Sequence, residues 1–510
     1  MQNRLCGREQ EYGMRIDPAR VFPKVIDVSG LSHSDDSDRQ FINWRFNFTE
    51  AIIRNLKNLK LGDNILNTFS IDPQRIWLEN GSLVYIDLGC ILEVATAEAR
   101  ACSLDGVLQE KASEWLLNKV LPYVVSEKGV KSITLYKNNV GPAGSDDIYQ
   151  EVAYASHHNY SYLTVKQLTI FKVMESFVPA SLILSGNGHV YRHRSGDFIY
   201  ALSQRAPHIT ECQSLDTLKN RAIINIRDES LMDPASGLSR LHLIARDATR
   251  CEFQTWLVDG VTHLVLRLVE EGWELPYALS LFDPVSELHA INSAFGINLD
   301  YKVACGLLGF SKVNLLDYNK IFLDASKKLP AISEEERAVL EAWEEVLELL
   351  AAKAFAKLVG KLDWVTKWYL LKNQMQKHSF GLNDIRAWKI NIGYHDISDD
   401  PQTSWFALLD ESGWIEHLVD EKEIEKAAFA PPETRAKSRG KFIRLASENL
   451  ALYDNVRNLN WDKVFLKGKP RIFNFLGELP IEIYNFGVRQ DPFITVSPEL
   501  EILYKELGLA

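Results

Sequence analysis

Two short stretches near the start of the chain constrain it more than any other: Cys6 to Gly13 (CGREQEYG) and Asn80 to Glu98 (NGSLVYIDLGCILEVATAE). Both read as strands, and both space acidic or phenolic side chains by two. Successive residues of a strand point to opposite faces, so Glu9 and Glu11 share one face, as do Tyr85 and Asp87. An alternating pair of glutamates is, by itself, more often the solvent side of an antiparallel sheet. Here, however, the run Leu83 to Leu88 is apolar on both sides of Asp87, which reads as a strand covered on both faces with Asp87 desolvated. Burying unpaired carboxylates costs several kcal/mol each, so a cation is expected among them. Oxygen ligands of this kind suit a hard ion, and Mg²⁺ accompanying a nucleotide is a common occupant.

The chain has 510 residues, enough for two domains or one large domain with an appendage. At 46% hydrophobic and 25% charged it reads as globular rather than disordered or fibrous. No apolar run reaches the roughly 18 residues of a membrane span, so no membrane partner is expected. The polar beginning (Gln2, Asn3, Arg4) does not read as a signal peptide. Cysteines at 6, 90, 102, 212, 251 and 305 form no CxxC pair, which argues against a zinc site or a disulfide framework. Reduced thiols in the cytoplasm are the expectation, and the Asn-x-Ser/Thr matches at Asn47, Asn80 and Asn159 are then chance. A net charge of −11 argues against nucleic acid as a general partner. A local basic run remains, with Arg435, Lys437, Arg439, Lys441 and Arg444 close together and Lys367, Lys372 and Lys377 along another segment. Such runs read as solvated helix faces or as a docking strip for an acidic partner.

Along the chain, residues 1–15 read as a strand, 17–44 lack a clear period, and Ser32 to Gln40 is loop-like. Phe48 to Gly62 reads as an amphipathic helix with Thr49 as its cap. A strand at Leu83 to Leu88 precedes a helix from Ser103 to Val120. Val261 to Glu271 opens a helical region, and Ile332 to Leu362 is the longest helical pattern. Strands followed by helices imply an α+β fold. The polar stretch near residue 398 suggests a division into residues 1–398 and a small C-terminal domain, 399–510.

The chain contains no GxxxxGK[ST] and no GxGxxG opening a helix. A nucleotide would therefore be held by a metal and strand side chains. The two opening stretches resemble those of the Pup ligase and Pup deamidase family. The likeness continues through Leu135 to Asn139 (LYKNN), His157 to Tyr160 (HHNY), Leu202 to Ile209 (LSQRAPHI), Ile224 to Ser230 (INIRDES) and Arg240 to Ile244 (RLHLI). It reaches the C-terminal motifs LDWVTK, YHDI, PPETRAKSRGKFI and NWDKVFL in the family's order. The resemblance implies a glutamine-synthetase-like fold, an antiparallel sheet cradle packed by helices and filled with Mg-ATP. It makes Glu9, Tyr85 and Glu93 magnesium positions, Asp87 the catalytic acid–base residue, and Thr96 and Trp461 nucleotide contacts. Arg205 and Arg227 lie in matched motifs and suit phosphate charge. The implied partners are a small Pup-like or ubiquitin-like protein modifier and lysine-bearing protein substrates.

Within the family, Asp87 followed by Leu-Gly-Cys, then Glu93 to Glu98 (EVATAE), resembles the ligase pattern more than the deamidase pattern. The alternatives are hydrolysis of the same isopeptide or a C-terminal glutamine amide, and a pseudoenzyme that only binds. Several positions depart from the family pattern. Leu83 stands where a nucleotide-binding arginine is expected, Ile91 to Val94 replaces His-Pro-Glu-Tyr, and His158 replaces the glutamate of His-Glu-Asn.

Overall fold

The computed structural model describes residues 4–18, 35–57, 59–142, 151–192, 196–227, 232, 236–293, 299–467, 481–487 and 493–509. Its centre is an 11-stranded sheet, antiparallel except for one pair at an edge. In chain order the strands are β1 (Leu5–Pro18), β2 (Thr68–Phe69), β3 (Arg75–Leu78), β4 (Leu83–Asp87), β5 (Ile91–Ala95), β6 (Ala99–Arg100), β7 (Val130–Tyr136), β8 (Ser156–Leu163), β9 (Glu211–Ser214), β10 (Ala222–Asn225) and β11 (Leu238–Leu243). Their spatial order is β9-β10-β11-β8-β1-β5-β4-β3-β2, with β6 and β7 also pairing along the long strand β1. The α+β expectation therefore holds.

Alternation along β1 sorts its side chains into two environments. Arg8, Gln10 and Tyr12 point to the back of the sheet, and Glu9 and Glu11 to the front. Behind β1 and β3–β5, Tyr12, Ile76, Val84, Leu92 and Val94 pack against α1 (Asp35–Leu56) and α2 (Asp105–Lys128). Behind β8 and β11, Tyr160, Leu241 and Leu243 pack against α3 (Glu252–Glu270) and the larger helical core. Apolar side chains on the inner face of each helix and on alternate strand positions are what form this double layer.

The back face also buries charge. Arg8 meets Glu110 and Asp259 at 2.6 Å each, and Tyr160 donates to Asp259 at 2.6 Å. Glu114 takes Arg250 at 2.7 Å and Lys137 at 2.9 Å. These ions lie out of water, so each depends on its partner.

Several local expectations are corrected. The helix expected from Phe48 starts at Asp35, inside the stretch read as loop, so its backbone is helical well before the first apolar period. The Thr49 hydroxyl donates to the Cys90 carbonyl rather than capping a helix. The pattern from Ile332 to Leu362 is interrupted: α4 (Glu334–Ala351) ends before Lys353, which adopts a left-handed φ of 53°. The longest helix with described bounds is instead α2, at 24 residues. Asp87 is half-buried rather than sealed, because β4 ends there in a turn whose Leu88 is 59% exposed.

The basic runs are also not uniform solvated faces. Lys367 is fully buried, donating to the carbonyl of Gly188 and to His395 Nε2 at 2.7 Å each. Arg435 and Arg439 are buried, while Lys437 and Lys441 pair with Glu433 and Glu501 at the surface.

No helix among the described residues is long and apolar enough to cross a membrane, and all six cysteines are free. Replacing Asp259 with alanine is expected to strip Arg8 of one of its two buried counter-ions and cost about 3–5 kcal/mol. A fall in the urea midpoint would register it, and an unchanged midpoint would refute the dependence.

Candidate active site

Strand pairing assembles the front face. Glu9 lies opposite His157 and Ala95, Glu11 opposite Glu93, and Glu93 opposite Tyr85. Asn159 faces His242, and Ser161 faces Arg240. Five strands thus place a band of polar groups side by side, in two clusters.

In the first cluster, Glu9 accepts from His157 Nδ1 at 3.2 Å, Arg240 Nη1 at 3.1 Å and Asn159 Nδ2 at 3.3 Å. His242 Nε2 lies 3.6 Å from the same carboxylate. Burial raises the Glu9 carboxyl, but the His157 hydrogen bond and the neighbouring imidazoles and Arg240 overcome it and hold Glu9 well below the usual carboxylate range. Burial lowers both His157 and His242 below the ordinary imidazole range. The His157 hydrogen bond, His242 and Arg240 together keep Glu9 ionised. Among the described residues, His157 Nε2 and both nitrogens of His242 are buried without a hydrogen-bond partner.

The second cluster holds Glu11, Asp87 and Glu93, whose carboxylate oxygens all lie within 4.8 Å of one another. Glu11 accepts from the backbone N–H of Ala155. Burial, with Asp87 as a like-charged neighbour, raises the Glu11 carboxyl to about 7 despite that bond and Arg205. Burial and the charges of Glu11, Glu9 and Asp87 also raise Glu93 well above the carboxylate range. Tyr85 hydrogen-bonds Glu93, and burial together with the surrounding carboxylates raises its phenol. Three carboxyls this close together, and imidazole nitrogens with no hydrogen-bond partner among the described residues, form a donor set that fits divalent metal.

Beside the first cluster a cavity runs along the start of β1. Its lining includes Gly7, Glu9, Thr96, Arg240, Arg435 and Trp461. Thr96 is buried, and its hydroxyl accepts from the Arg8 N–H at 3.0 Å. Trp461 comes from the C-terminal segment and meets Trp77 edge-on at a centroid distance of 4.9 Å. Leu83 packs in an apolar cluster with Trp77, Ala95, Phe442 and Val464, so it brings no charge to this cavity.

The fold therefore gathers Glu9, Tyr85, Asp87, Glu93 and Thr96 on one face, with Trp461 at its side. Arg205 is 1% exposed, and its guanidinium donates to the carbonyls of Ile244 at 3.0 Å and Tyr154 at 3.2 Å. Arg227 is exposed and donates to the carbonyl of Leu215 at 2.9 Å. His157, Arg240 and His242 were not assigned roles from the sequence, and Glu11 was read only as sharing the face of Glu9. The signal was present, since His157 and Asn159, and Arg240 and His242, repeat the spacing of two that marks Glu9 and Glu11.

The profile of the Pup-ligase protein family matches residues 4–465. A Pup--protein ligase of Acidimicrobium ferrooxidans is 34% identical over 385 residues, covering 73% of this chain and 80% of that protein. The chain belongs to the Pup-ligase family. Another member, a Pup--protein ligase of Actinosynnema mirum, is 33% identical over 382 residues, covering 73% of this chain and 80% of its own. The family fold is also matched in solved structures. The Pup ligase PafA in complex with Pup aligns with a TM-score of 0.76 at 22% identity, covering 100% of this chain and 93% of that one. PafA with ADP aligns with a TM-score of 0.70 at 23% identity, covering 96% and 98%. The glutamine-synthetase-like sheet cradle expected from the resemblance is the fold observed.

The raised carboxyl of Glu11 carries a pH dependence. A folded-state value near 7, above the ordinary 4.5, means that ionised Glu11 opposes folding fully above pH 7 and less as pH falls toward 4.5. Metal-free protein should therefore gain stability from pH 7.5 to pH 5.5 through this group. Glu11→Gln should flatten that gain and reduce the rise in melting temperature caused by added Mg²⁺. A profile unchanged by the substitution would contradict the assignment.

Proposed function

We propose that this protein is an ATP-dependent ligase that joins the C-terminal glutamate γ-carboxylate of a small Pup-like modifier to lysines of protein substrates. The observation that carries this reading is the second cluster, in which Asp87 stands at the open end of the cradle beside Glu11 and Glu93. Family membership and the cavity that ends at Trp461 support it.

In this reading the modifier's γ-carboxylate oxygen attacks the γ-phosphorus of ATP, giving an acyl phosphate and ADP. The lysine amine then attacks the acyl carbon, the C–N bond forms, and inorganic phosphate leaves. A lysine of pKa about 10.4 is neutral about once in 2,500 at pH 7, a penalty of about 4.6 kcal/mol. Asp87, half-buried at the strand end, can approach the incoming amine and take its proton as the bond forms. Glu9, Tyr85 and Glu93 would hold Mg²⁺, joined by Glu11, His157 and His242, whose donor atoms lie within 4.8 Å of Glu93 (Glu11) or of Glu9 (the two imidazoles). When bound, Mg²⁺ neutralises charge on the nucleotide's phosphate oxygens. Thr96 and Trp461 flank the nucleotide, and residues 399–510 act as the C-terminal unit that supplies Trp461. Arg205 and Arg227 serve the phosphate end through their positive field. Six free cysteines suit a cytoplasmic setting.

The test is intact-mass spectrometry after incubation with Mg-ATP, a glutamate-terminated modifier and a lysine-bearing acceptor. A conjugate lighter than its parts by one water establishes the ligase. Cleavage of a preformed conjugate without synthesis would replace the ligase by the hydrolase reading, and neither reaction by a binding role. Asp87→Asn should keep ADP affinity within about twofold while lowering conjugation by roughly 10²–10⁴-fold. Undiminished conjugation by that variant would remove Asp87 as the base.

A further inference from the structure

The C-terminal segment carries a second feature at the nucleotide cavity. Helix α5 (Arg435–Glu448) begins against the β3–β4 turn. Its approach is close enough that a Cβ on Gly440 would stand 2.1 Å from the Glu79 carbonyl, so only glycine fits there. At this contact Arg439, fully buried, donates to the Gly81 carbonyl through Nε at 3.1 Å and Nη2 at 2.8 Å, and to the Trp461 carbonyl at 2.6 Å. Its guanidinium also lies over the Trp461 ring, 4.7 Å from the centroid. Every donor group of Arg439 is spent on holding the turn and Trp461 together.

Glu98 completes the arrangement. One oxygen accepts from Arg435 Nε at 2.7 Å and from Arg439 Nη1 at 3.2 Å, and the other accepts from Arg439 Nη2. Burial opposes its charge, but the two arginines hold the Glu98 carboxyl down to about 2, so it stays ionised.

Arg435 is used differently from Arg439. It is only 5% exposed, and its Nε donates to Glu98. Among the described residues, its two terminal nitrogens have no protein partner. The same residue lines the cavity that contains Gly7, Thr96, Trp461 and Glu9. Other arginines on that lining already spend a terminal nitrogen on protein oxygens: Arg8 Nη1 on Asp259, and Arg240 Nη1 on Glu9 and Asn159. A desolvated guanidinium with a free pair of parallel N–H groups matches two oxygens of a phosphate.

We propose that Arg435 is the arginine that binds a phosphate of the nucleotide, presented by Glu98 and kept beside Trp461 by Arg439. The inference rests on the nucleotide reading of the cavity given above. It assigns Arg435 direct contact with the nucleotide and gives Glu98 and Arg439 positioning roles.

Calorimetric titration with ADP and with adenosine, both in Mg²⁺, separates the possibilities. Arg435→Gln is expected to weaken ADP about ten- to a hundredfold while leaving adenosine affinity unchanged. Arg435→Lys retains the charge facing Glu98 but lacks the fork, and it should also weaken ADP; melting temperatures show that each variant is folded. Unchanged ADP affinity in either folded variant, or equal weakening of ADP and adenosine, overturns the phosphate contact. If the unaltered protein binds ADP in neither the presence nor the absence of Mg²⁺, the nucleotide reading itself fails and the inference falls with it.

Discussion

The structure depends on the central strand Leu5–Pro18, which carries opposite charge on its two faces. Arg8 points back into a buried net with Glu110 and Asp259, while Glu9 and Glu11 point forward into the cradle. A strand one residue out of register would reverse both faces, placing the glutamates in the apolar layer and the arginine among cations' ligands. The back-face ion net, together with the packing of Tyr12 against α1 and α2, holds the register that makes the front face possible.

That front face is held in a state of electrostatic tension. Glu11, Asp87 and Glu93 crowd together with little positive charge near them, and the raised carboxyls of Glu11 and Glu93 express the cost. Glu9 is different because His157, His242 and Arg240 stand beside it. One sheet face therefore holds one carboxylate kept ionised by the protein and two whose ionisation favours the arrival of a cation. Such a division suits the uptake of a cation.

The C-terminal segment is joined to this site through packing and charge together. Trp77, Leu83 and Ala95 on the sheet share an apolar cluster with Phe442, Val464 and Phe486. Next to that cluster, Arg439 fastens Trp461 to the Gly81 turn and to Glu98. Leu83 belongs to the apolar part of this joint, whereas Arg435, held by Glu98, faces the cavity.

Much of the site was legible in the chain. The spacing of two at Glu9 and Glu11 and at Tyr85 and Asp87 implied shared strand faces, because side-chain alternation is a local property of an extended backbone. The α+β class followed from the order of strand-like and helix-like patterns. Helix bounds were less legible: the start of α1 and the break after Ala351 depend on dihedral angles and contacts that hydrophobic period does not encode. The basic run at Arg435 to Arg444 and the lysine at 367 looked like surface, since charge alone carries no information about burial. By itself, the sequence determined which side chains share a strand face and that the chain carries no glycine-rich phosphate-binding motif. Only the tertiary structure decided which strands stand side by side, bringing His157, Arg240 and His242 to Glu9 and turning Arg435 inward. Those pairings join residues far apart in the chain, and their register is set by the whole packed sheet rather than by any local stretch.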